Sequence, residues 1–539
     1  MAMITAQTTQ PDDTSTAAAY DDVPYASHPF PQTNPLSLQG VAKLFGLTAP
    51  IPDKARILEI GCASGCNILA IAALYPKSQC VGIDYSAKQI EQGKKDLKEL
   101  GISNLELKHM SVSDITADFG LFDYIICHGV MSWVPRDVQD KILDVCKANL
   151  SKDGIAYISY NTLPGWNSIR SMRDMMLYHT ERFSDPATKA QQARQILKFV
   201  SEGMRAKNNP MSAMLDRENT LLGKHPDYYL LHDHMEDNNF PFYFHEFMER
   251  AGQRGLQYVA DVDLEKMFTG NLPTATAEIL ATSNDIVRTE QYMDFIYDRR
   301  FRSTLLCHND RILNRNIDHT ILLQGFLTSR FTYPADFKDH DISSNQSLPF
   351  PTPGGMTLNS SDPVVLAMLQ IFMELQPQPI RIADLAERVQ EKLRKAKSPL
   401  PQGDKTALEN VLCTHALRNI FLGAMHFYLQ DMPFIATVSE KPMLSALARN
   451  QAGRQGWITT QRQEAITLTI FDKVFIPHVD GTHSVKELEG ILLPYFKSKA
   501  LVMNDNNAPV TDIAVIKAKI PDIVKFTLQR FAELGLLVK

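Results

Sequence analysis

Short apolar runs alternate with longer segments of helical periodicity in the N-terminal part of the chain. These runs lie at 57–60, 80–84, 105–109, 122–127 and 154–160. A strand that is apolar on both faces is typical of a parallel sheet covered by helices on each side. The alternation therefore predicts an α/β domain built on a doubly wound sheet. In that architecture the carboxyl ends of the strands line the ligand crevice.

Helical periodicity dominates the next part of the chain, and strands return after it. Residues 168–201 show helical spacing of polar and apolar positions, and 244–251 form a second amphipathic helix. The apolar runs 256–260 and 302–307 predict a sixth and a seventh strand. A helical insertion thus interrupts the sheet. An aromatic cluster beside the second helix is either a packing unit of the core or a wall of the substrate site; it comprises Phe240, Phe242, Tyr243 and Phe244.

The composition changes after the seventh strand. Residues 333–355 are rich in proline and glycine, which indicates a loop at a domain boundary. Asp362 and Pro363 supply an N-cap and a first-turn proline for an apolar helix, and 382–393 is amphipathic. These features predict a helical middle domain.

Two more helices are predicted near the C-terminus. Ser484 and Glu487 have the spacing of a capping box, and 521–534 has helical periodicity that ends at Gly535. A short strand is expected at 536–538. Helices followed by a short strand indicate a winged-helix-like module. Many such modules bind DNA, but this one lacks a basic stripe, so we favour protein contact or support of a dimer.

The turn after the first apolar run carries the most chemical information. Gly61 and Gly65 permit backbone conformations and contacts that a Cβ would forbid, and Ala63 keeps the surface of the turn small. A dinucleotide fingerprint would need glycines at 63 and 66, and a P-loop would need a Gly-Lys-Ser/Thr ending. The chain has neither motif. The turn, together with an acidic residue after the next strand, predicts an S-adenosylmethionine site.

Polar residues at the strand ends complete the predicted cofactor site. Asp84 lies about 20 residues after the turn, where a carboxylate can accept both ribose hydroxyls. Asp114 follows the third strand and either meets the adenine amino group or caps a helix. The residues assigned to the cofactor are Glu59, Gly61, Ala63, Gly65, Asn67, Asp84, Tyr85, Asp114, His128 and Tyr25.

No metal site is predicted. Cys62 and Cys66 lack the third cysteine of a radical-enzyme iron–sulfur motif, because Leu69 stands where it would be needed. The acidic and histidine residues at 232–237 could bind a metal, but methyl transfer needs none, and solvated polar residues are the commoner explanation.

Composition and charge narrow the class of protein. The 539 residues are 44% hydrophobic and 22% charged, which indicates a globular chain too long for one core. The net charge of −6 gives no electrostatic footprint for nucleic acid. The seven cysteines suit a reducing compartment, and we see neither a secretory signal nor a membrane span, so we expect a cytoplasmic protein without membrane contact.

Several longer motifs combine into one pattern. At the strand ends these are Glu59-x-Gly-Cys-Ala-Ser-Gly, Gly82-Ile-Asp84-Tyr-Ser, Cys127-His-Gly-Val-x-Ser-Trp-Val-Pro135 and Tyr160-Asn-Thr-x-Pro-Gly-Trp166. Elsewhere they are Tyr20-Asp-Asp-Val-Pro-Tyr25, Pro29-Phe-Pro-Gln-Thr33, Pro241-Phe-Tyr-Phe-His-Glu-Phe247, Gly255-Leu-Gln-Tyr-Val259 and, more weakly, Val479-Asp-Gly-Thr482. The set resembles class I methyltransferases, and within them the bacterial protein-lysine methyltransferases that carry a methyltransferase regulatory domain. Ala63 departs from the broader class pattern, which has a glycine there, but agrees with this subgroup.

The resemblance implies an S-adenosylmethionine-dependent enzyme that N-methylates lysine side chains of protein substrates, and it suggests a homodimer. Two alternatives remain open: a small-molecule methyltransferase, and a non-catalytic cofactor-binding regulatory or scaffold protein. Nucleic-acid methylation is disfavoured, because the fourth strand ends in His128-Gly-Val-Met rather than Asp/Asn-Pro-Pro-aromatic.

The resulting organisation has four segments. We expect residues 1–45 to be a mobile N-terminus and a lid across the crevice, with a simple surface arm as the alternative for 20–45. Residues 46–310 form the Rossmann-like, seven-stranded methyltransferase domain, with the regulatory segment at about 213–300. A helical middle domain follows at 311–430, and a winged-helix-like domain at 431–539.

Catalysis of this kind depends on positioning and on exclusion of water. Aromatic faces can orient an ammonium group and then form a dry channel for the amine. Trp133, Tyr160 and Trp166 are the expected channel walls, with His128 or His245 as proton acceptor or relay. Hydrophobic cover of the sheet edge is the alternative for the two tryptophans, and a structural role is the alternative for each histidine.

Overall fold

The computed structural model describes residues 27–236, 238–400, 405–432, 434–505 and 508–538. Tyr20, Tyr25 and Asp237, named in the sequence interpretation, lie outside these ranges. Among the helices of the described ranges, none has the length and hydropathy needed to cross a membrane.

The N-terminal half alternates strands and helices as predicted. The seven strands of the main sheet are β1 Arg56–Ile60, β2 Gln79–Asp84, β3 Leu105–His109, β4 Phe122–Cys127, β5 Leu150–Asn161, β6 Leu256–Asp261 and β7 Phe301–His308. The helices before the insertion are α1 Pro35–Leu44, α2 Cys66–Leu74, α3 Ala87–Leu100 and α4 Arg136–Asn149. Those between β5 and β7 are α5 Trp166–Thr180, α6 Pro186–Ala206, α7 Met211–Leu222, α8 Asp227–His234, α9 Phe244–Gln253, α10 Thr274–Ala281 and α11 Ile286–Tyr297.

The strand order of the main sheet is β3-β2-β1-β4-β5-β7-β6. The five neighbouring strands β3, β2, β1, β4 and β5 pair in parallel, whereas β7 pairs antiparallel with both β5 and β6. Residues 57–60 of β1 are buried on both faces, as expected for a central parallel strand. The predicted Rossmann-like methyltransferase sheet is confirmed.

The insertion between β5 and β6 builds a small apolar core of its own. Trp166 and Ile169 of α5 pack there with Leu197 of α6 and Leu215 of α7. A carboxylate, Glu218, shares the buried face of α7 with its leucines and is only 2% exposed. The insertion therefore brings apolar and ionisable side chains together beside the sheet.

The middle segment differs from the purely helical prediction. Its helices are α12 Pro363–Leu375, α13 Ile382–Lys395 and α14 Lys405–Phe421, and the Asp362 carboxylate caps α12 as expected. It also contains an antiparallel sheet of β8 Phe326–Ser329, β11 Ile380–Arg381 and β12 Met425–Tyr428. These strands are too short to give a periodic signal, so only their tertiary pairing reveals them.

A hairpin lies where the sequence predicts only a loop. Strands β9 Leu348–Pro351 and β10 Thr357–Ser360 pair antiparallel. Pro349 and Pro351 argue against a strand in the sequence, but prolines are tolerated on edge strands such as these. The apolar core on one sheet face continues into the middle segment, since Ile57 and Tyr124 belong to the same cluster as Leu366 and Phe372.

The C-terminal part has its own core, formed by helices, short strands and turns. Its elements are α15 Ala446–Ala452, β13 Trp457–Thr459, β14 Ala465–Thr467, α16 Ile470–Phe475, α17 Val485–Lys497, β15 Asn504–Asp505, β16 Ala508–Pro509 and α18 Ile513–Glu533. Both bonds of the predicted Ser484/Glu487 capping box are present.

Two details of this part were predicted wrongly. Helix α18 begins at Ile513 rather than at Pro521, which lies inside it. Asp512 caps the helix, and burial of Ile516 and Ile520 offsets the hydrogen bond that proline removes, a loss of about 3 kcal/mol. The predicted final strand at 536–538 is reduced to a single antiparallel bridge between Leu537 and Leu444.

Candidate active site

A cavity of about 570 Å³ opens at the carboxyl ends of the parallel strands. Its first group of lining residues lies at or just after the carboxyl ends of β1 to β5 and includes Glu59, Ile60, Gly61, Cys62, Ala63, Ile83, Asp84, Tyr85, Met110, Ser111, Val112, His128, Gly129, Val130 and Asn161. Its second group comes from the insertion and the start of β7 and includes Trp166, Ile169, Glu218, Leu221, Tyr229, Asp233, His234, Arg300 and Phe301. The cavity thus connects the strand ends with the insertion.

The turn after β1 is shaped by close contacts. Gly61 has φ +72°, and a Cβ there would lie 2.3 Å from Val130 Cγ2. Gly65 has φ +82° and precedes the first residue of α2. Because glycine alone adopts such conformations freely, the turn can hold its backbone against a ligand. These features make a cradle that fits a nucleoside cofactor.

Asp84 fastens the same turn to β2. One carboxylate oxygen accepts a hydrogen bond from the Ala63 amide at 2.7 Å, and the other accepts from the Ser86 amide at 2.8 Å. Ala63 itself has φ +50°, a left-handed conformation that costs energy in a residue with a Cβ. Asp84 therefore stabilises the strained turn and also lines the cavity, where the sequence places the ribose.

Glu59 is the buried carboxyl group of this end of the cavity. Its Oε1 accepts a hydrogen bond from Asn67 Nδ2 at 2.7 Å, and its Oε2 has no hydrogen-bond partner within the described residues. Burial raises the pKa of Glu59 to about 8, although the hydrogen bond from Asn67 opposes the shift. An unpaired carboxyl oxygen in this position fits the ammonium group of the amino-acid part of S-adenosylmethionine.

The segment before α1 contributes to the cavity wall. Ser27 and Phe30 line it, the Phe30 amide donates to Asn67 Oδ1 at 2.8 Å, and Ser27 Oγ accepts from the Cys66 amide at 3.2 Å. The Phe30 ring lies 4.0 Å from the His128 ring, measured between centroids. This placement favours the lid interpretation of the segment over a simple surface arm.

His128 lies at the end of β4, beside Phe30. Its Nδ1 lies 2.9 Å from the Tyr157 hydroxyl and 3.2 Å from Ser159 Oγ. Burial lowers the pKa of His128 to about 4, so its ring is neutral near pH 7. Such a weak base is a poor acceptor for the proton of an alkylammonium group, whose ordinary pKa is about 10.4. Its position suits contact with the cofactor better than proton transfer.

Trp133 and Trp166 form an aromatic corner of the cavity. Their rings meet edge to face, with centroids 6.1 Å apart, and Trp166 Nε1 donates to Asn239 Oδ1 at 2.9 Å. That hydrogen bond fixes the orientation of the Trp166 indole. Tyr229, from α8, also lines the cavity.

The insertion adds ionisable groups that sequence reasoning did not assign. Glu218 accepts from Arg300 at 3.1 Å and lies 3.2 Å from His234 Nε2. Burial acts to raise the pKa of Glu218, but the hydrogen bond and charge of His234, together with Arg300, lower it overall. A usable sequence signal existed, because Glu218 interrupts the apolar stripe that Leu215 and Leu222 define on α7.

Asp233 is the second such group and differs from Glu218. Burial raises the pKa of Asp233 to about 6, against the lowering effect of the neighbouring histidines at 232 and 234. Among the described residues, no donor forms a hydrogen bond with its carboxylate. The sequence indicated this stretch only as an improbable metal site. Nowhere in the described ranges do three or more His, Cys, Asp or Glu side chains form a group able to hold a metal ion.

Several predicted site residues lie away from the cavity. Tyr160 is buried in the core, where it stacks on Phe247 at 4.2 Å and its hydroxyl lies 2.9 Å from Thr304 Oγ1. His245 is exposed on α9, and its Nδ1 lies 3.0 Å from Gln291 Oε1. Asp114 instead caps a short 3₁₀ turn through the Ser111 amide.

The reasons for these differences are structural. Side chains alternate across a strand, so Tyr160 near the end of β5 points into the core while its neighbour Asn161 lines the cavity. Gly65 supports the turn without lining the cavity, and Tyr25 lies outside the described residues. Phe242 and Phe244 of the aromatic cluster are buried in the core, and neither they nor Phe240 and Tyr243 line the cavity, so packing is the better interpretation.

Comparisons with known proteins agree with this architecture. A methyltransferase domain family matches residues 57–154, a predicted methyltransferase regulatory domain matches 226–308, and a PKMT C-terminal winged-helix domain matches 440–536. The structure of PKMT2 from Rickettsia typhi is 36% identical, with a TM-score of 0.87, over 96% of this chain and 100% of that one. The chain belongs to the PKMT family of methyltransferases.

Other relatives extend the match. PKMT2 in complex with AdoHcy superposes with a TM-score of 0.86 at the same identity and coverage. An uncharacterized protein of Rickettsia prowazekii (strain Madrid E) is 38% identical over 524 residues, which are 96% of this chain and 93% of the relative. The predicted identity as an S-adenosylmethionine-dependent methyltransferase is confirmed. This methyltransferase also has the winged-helix module that its C-terminal pattern predicts.

Proposed function

We propose that this methyltransferase transfers the methyl group of S-adenosylmethionine to the side-chain nitrogen of lysine in protein substrates. The observation that carries the proposal is the continuity of the cavity. Its strand-end part suits the cofactor, and the part beside the insertion combines Trp133, which follows β4, with Trp166, Tyr229 and the carboxylate of Asp233 from the insertion. Aromatic faces and a carboxylate are the groups that attract an alkylammonium ion. The relationship to PKMT2, a protein-lysine methyltransferase, supports the same acceptor.

The chain's own residues would perform two tasks. Trp133 and Trp166 orient the lysine side chain and exclude water from it, while Asp233 attracts its charge. Asp233 is also the best-placed proton acceptor. Its pKa is raised, and no hydrogen-bond donor among the described residues occupies its carboxylate, so the carboxylate can take a proton. When bound, the sulfonium cofactor supplies an electrophilic methyl group and favours the neutral amine by charge repulsion.

The proton and electron balance is simple. The lysine ammonium gives a proton to Asp233, from which it passes to solvent. The freed lone pair on nitrogen forms the new bond to carbon, and the electron pair of the broken carbon–sulfur bond stays on sulfur. Positioning of the amine by the aromatic corner is the main contribution that the protein can make.

Mass spectrometry of methylated protein tests the proposal. Purified enzyme is incubated with labelled S-adenosylmethionine and a dialysed bacterial lysate, and separately with the low-molecular-weight fraction of that lysate. We expect methyl-lysine in protein with the wild type and about a hundredfold slower formation with Asp233→Asn, the range typical of a lost acid–base group. Asp522→Asn, at an exposed position of α18, is the matched control and should leave the rate unchanged.

Two outcomes would contradict the proposal. Label found only in small molecules would favour the alternative acceptor class. Cofactor binding without formation of S-adenosylhomocysteine would favour the non-catalytic alternative.

Three further assignments are proposals of the same kind. We infer a homodimer, a cytoplasmic location and no nucleic-acid partner from the sequence and its resemblance. We also keep the segment limits 1–45, 46–310, 311–430 and 431–539, with the regulatory segment at about 213–300. Sedimentation of the purified chain would test the first, since a monomer at micromolar concentration would contradict it.

A further inference from the structure

A side chain of the C-terminal part reaches the cofactor end of the cavity. Gln463 lies in the turn between β13 and β14 and is 0% exposed, and its backbone has φ +60°. Its Nε2 donates to Asn67 Oδ1 at 2.6 Å, and lies 3.2 Å from both Thr33 Oγ1 and the Phe30 carbonyl. A fully buried amide from a distant part of the sequence therefore joins the first helix after the cofactor turn to the segment before α1.

Asn67 transmits this contact to the cavity. Its Oδ1 accepts from Gln463 and from the Phe30 amide, while its Nδ2 donates to Glu59 Oε1 at 2.7 Å and to Thr33 Oγ1 at 3.0 Å. Since the carboxamide has a partner on both ends, it can adopt only one of its two flipped orientations. That orientation presents a donor to Glu59.

Other contacts hold the antiparallel pair of β13 and β14, with the turn between them, in place. The Trp457 ring at its start lies 4.9 Å from the His28 ring, measured between centroids. Arg454 forms ion pairs with Asp96, at 2.8 Å, and with Glu99, both on α3. The residues that lead into the turn are thus anchored both to the segment before α1 and to α3.

We propose that Gln463 is a positioning residue for the methyl donor, supplied by the C-terminal part to the cofactor site through Asn67 and Glu59. Glu59 lines the cavity with one oxygen unpaired within the described residues. Gln463 does not line the cavity, so it acts by holding the groups that do. The methyl-donor site is consequently incomplete without the C-terminal part, whatever the methyl acceptor is.

Calorimetric titration with S-adenosylhomocysteine tests this role without any turnover. In Gln463→Met the donor is lost at nearly constant volume, and we expect the Kd to rise about three- to tenfold, the value of a lost neutral hydrogen bond. Gln463→Asn is the second variant. Asparagine tolerates the positive φ, so the turn is retained, but its side chain is one methylene too short to reach Asn67. The matched control is Gln461→Met, which makes the same change two residues away.

The pH dependence of Kd separates positioning from mere structural support. The hydrogen bond from Asn67 lowers the pKa of Glu59. If the Gln463 variants loosen this hydrogen bond, the midpoint of the Glu59 titration should move upward by about half a pH unit or more. Asp84 on β2 is the charged group facing Glu59, and the thiols of Cys62, Cys66, Cys80 and Cys127 are its other titratable neighbours. None of these groups is changed in the variants.

The expected result is a weaker Kd and a raised midpoint in both Gln463 variants, with wild-type values for Gln461→Met. Equal Kd values in the Gln463 and Gln461 variants would overturn the proposal. A weaker Kd with an unshifted midpoint would also overturn it, because the side chain would then support only the fold. A wild-type Kd that does not vary with pH would overturn the proposal as well, because it would show that Asn67 holds no titrating carboxyl group in the site.

Discussion

Single residues set the chemistry of the cavity through burial and hydrogen bonding. Glu59 and Asp233 have raised pKa values because both carboxyl groups are withdrawn from water, yet they lie in different parts of the cavity. Glu59 lies in β1, just before the cofactor turn, and is held by Asn67, whereas Asp233 comes from the insertion and accepts no hydrogen bond from the described residues. The two groups therefore suit different cations, the amino-acid end of the cofactor and the acceptor.

The charge state of Glu59 predicts a pH-dependent affinity for S-adenosylhomocysteine. Its pKa of about 8 leaves it mostly neutral at pH 6, and pairing with the ligand's ammonium group favours the charged form. Binding then releases a proton, so affinity should rise with pH from 6 to 8, by at most about tenfold per pH unit. Calorimetry in buffers of different ionisation enthalpy measures both the affinity and the proton.

Glu59→Gln should remove that rise and weaken binding about ten- to a hundredfold at pH 8, the range of a lost charged hydrogen bond. Asp84→Asn is the control, because it weakens binding at every pH and retains the rise. The explanation would be wrong if both variants kept the same slope.

At the scale of elements, buried charges join the antiparallel end of the sheet to the regulatory segment. Arg302 of β7 is fully buried, contacts both carboxylate oxygens of Asp294 and donates to Glu290, both on α11. Arg299 lies 3.1 Å from Asp261 of β6. These ion pairs fix α11 against the two strands, because each buried charge requires its partner.

Arg302→Leu should therefore destabilise the protein by about 3–5 kcal/mol, since it leaves the buried carboxylates without a counter-charge. Burial already raises the pKa values of Glu290 and Asp294, and loss of the arginine would raise them further. A carboxyl pKa that is raised on folding stabilises the fold at low pH and loses this effect as pH rises. The loss of stability of Arg302→Leu relative to wild type, measured by thermal unfolding, should thus be smaller at pH 5.5 than at pH 8.

Arg288→Leu provides the comparison, because Arg288 is an exposed arginine of α11. It should change stability by less than about 0.5 kcal/mol. If the loss of stability of Arg302→Leu did not depend on pH, it would contradict the explanation that the variant leaves buried carboxylates without a counter-charge.

At the scale of the whole molecule, distant parts of the sequence share cores and contacts. One apolar cluster extends from the sheet into the middle segment, and Gln463 joins the C-terminal part to the cofactor turn. The first helix also docks on the middle segment, because a Cβ at Gly40 would lie only 2.1 Å from the Phe427 carbonyl oxygen. The methyltransferase sheet and its attachments therefore form one packed unit.

Two glycine-to-alanine changes test this docking. Gly40→Ala should destabilise by about 1–3 kcal/mol, because overpacking against backbone outweighs the gain in helix propensity. Gly203→Ala in α6 has open space around the new Cβ and should stabilise by about 0.5–1 kcal/mol. Thermal unfolding of both variants gives the sign directly. Stabilisation by Gly40→Ala would show that α1 does not pack this closely on β12.

The sequence by itself determined the seven strands, the cofactor turn, the family and the caps at Asp362 and Ser484. Each of these rests on local periodicity or on residues close together in the chain, so the signal is local. Tertiary structure alone decided which side chains meet. It turned Tyr160 into the core, left His245 on the surface, and brought Asp233 and Gln463 to the cavity and its supports. The physical reason is that burial, and the pKa values and hydrogen bonds that follow from it, depend on neighbours that are distant in sequence.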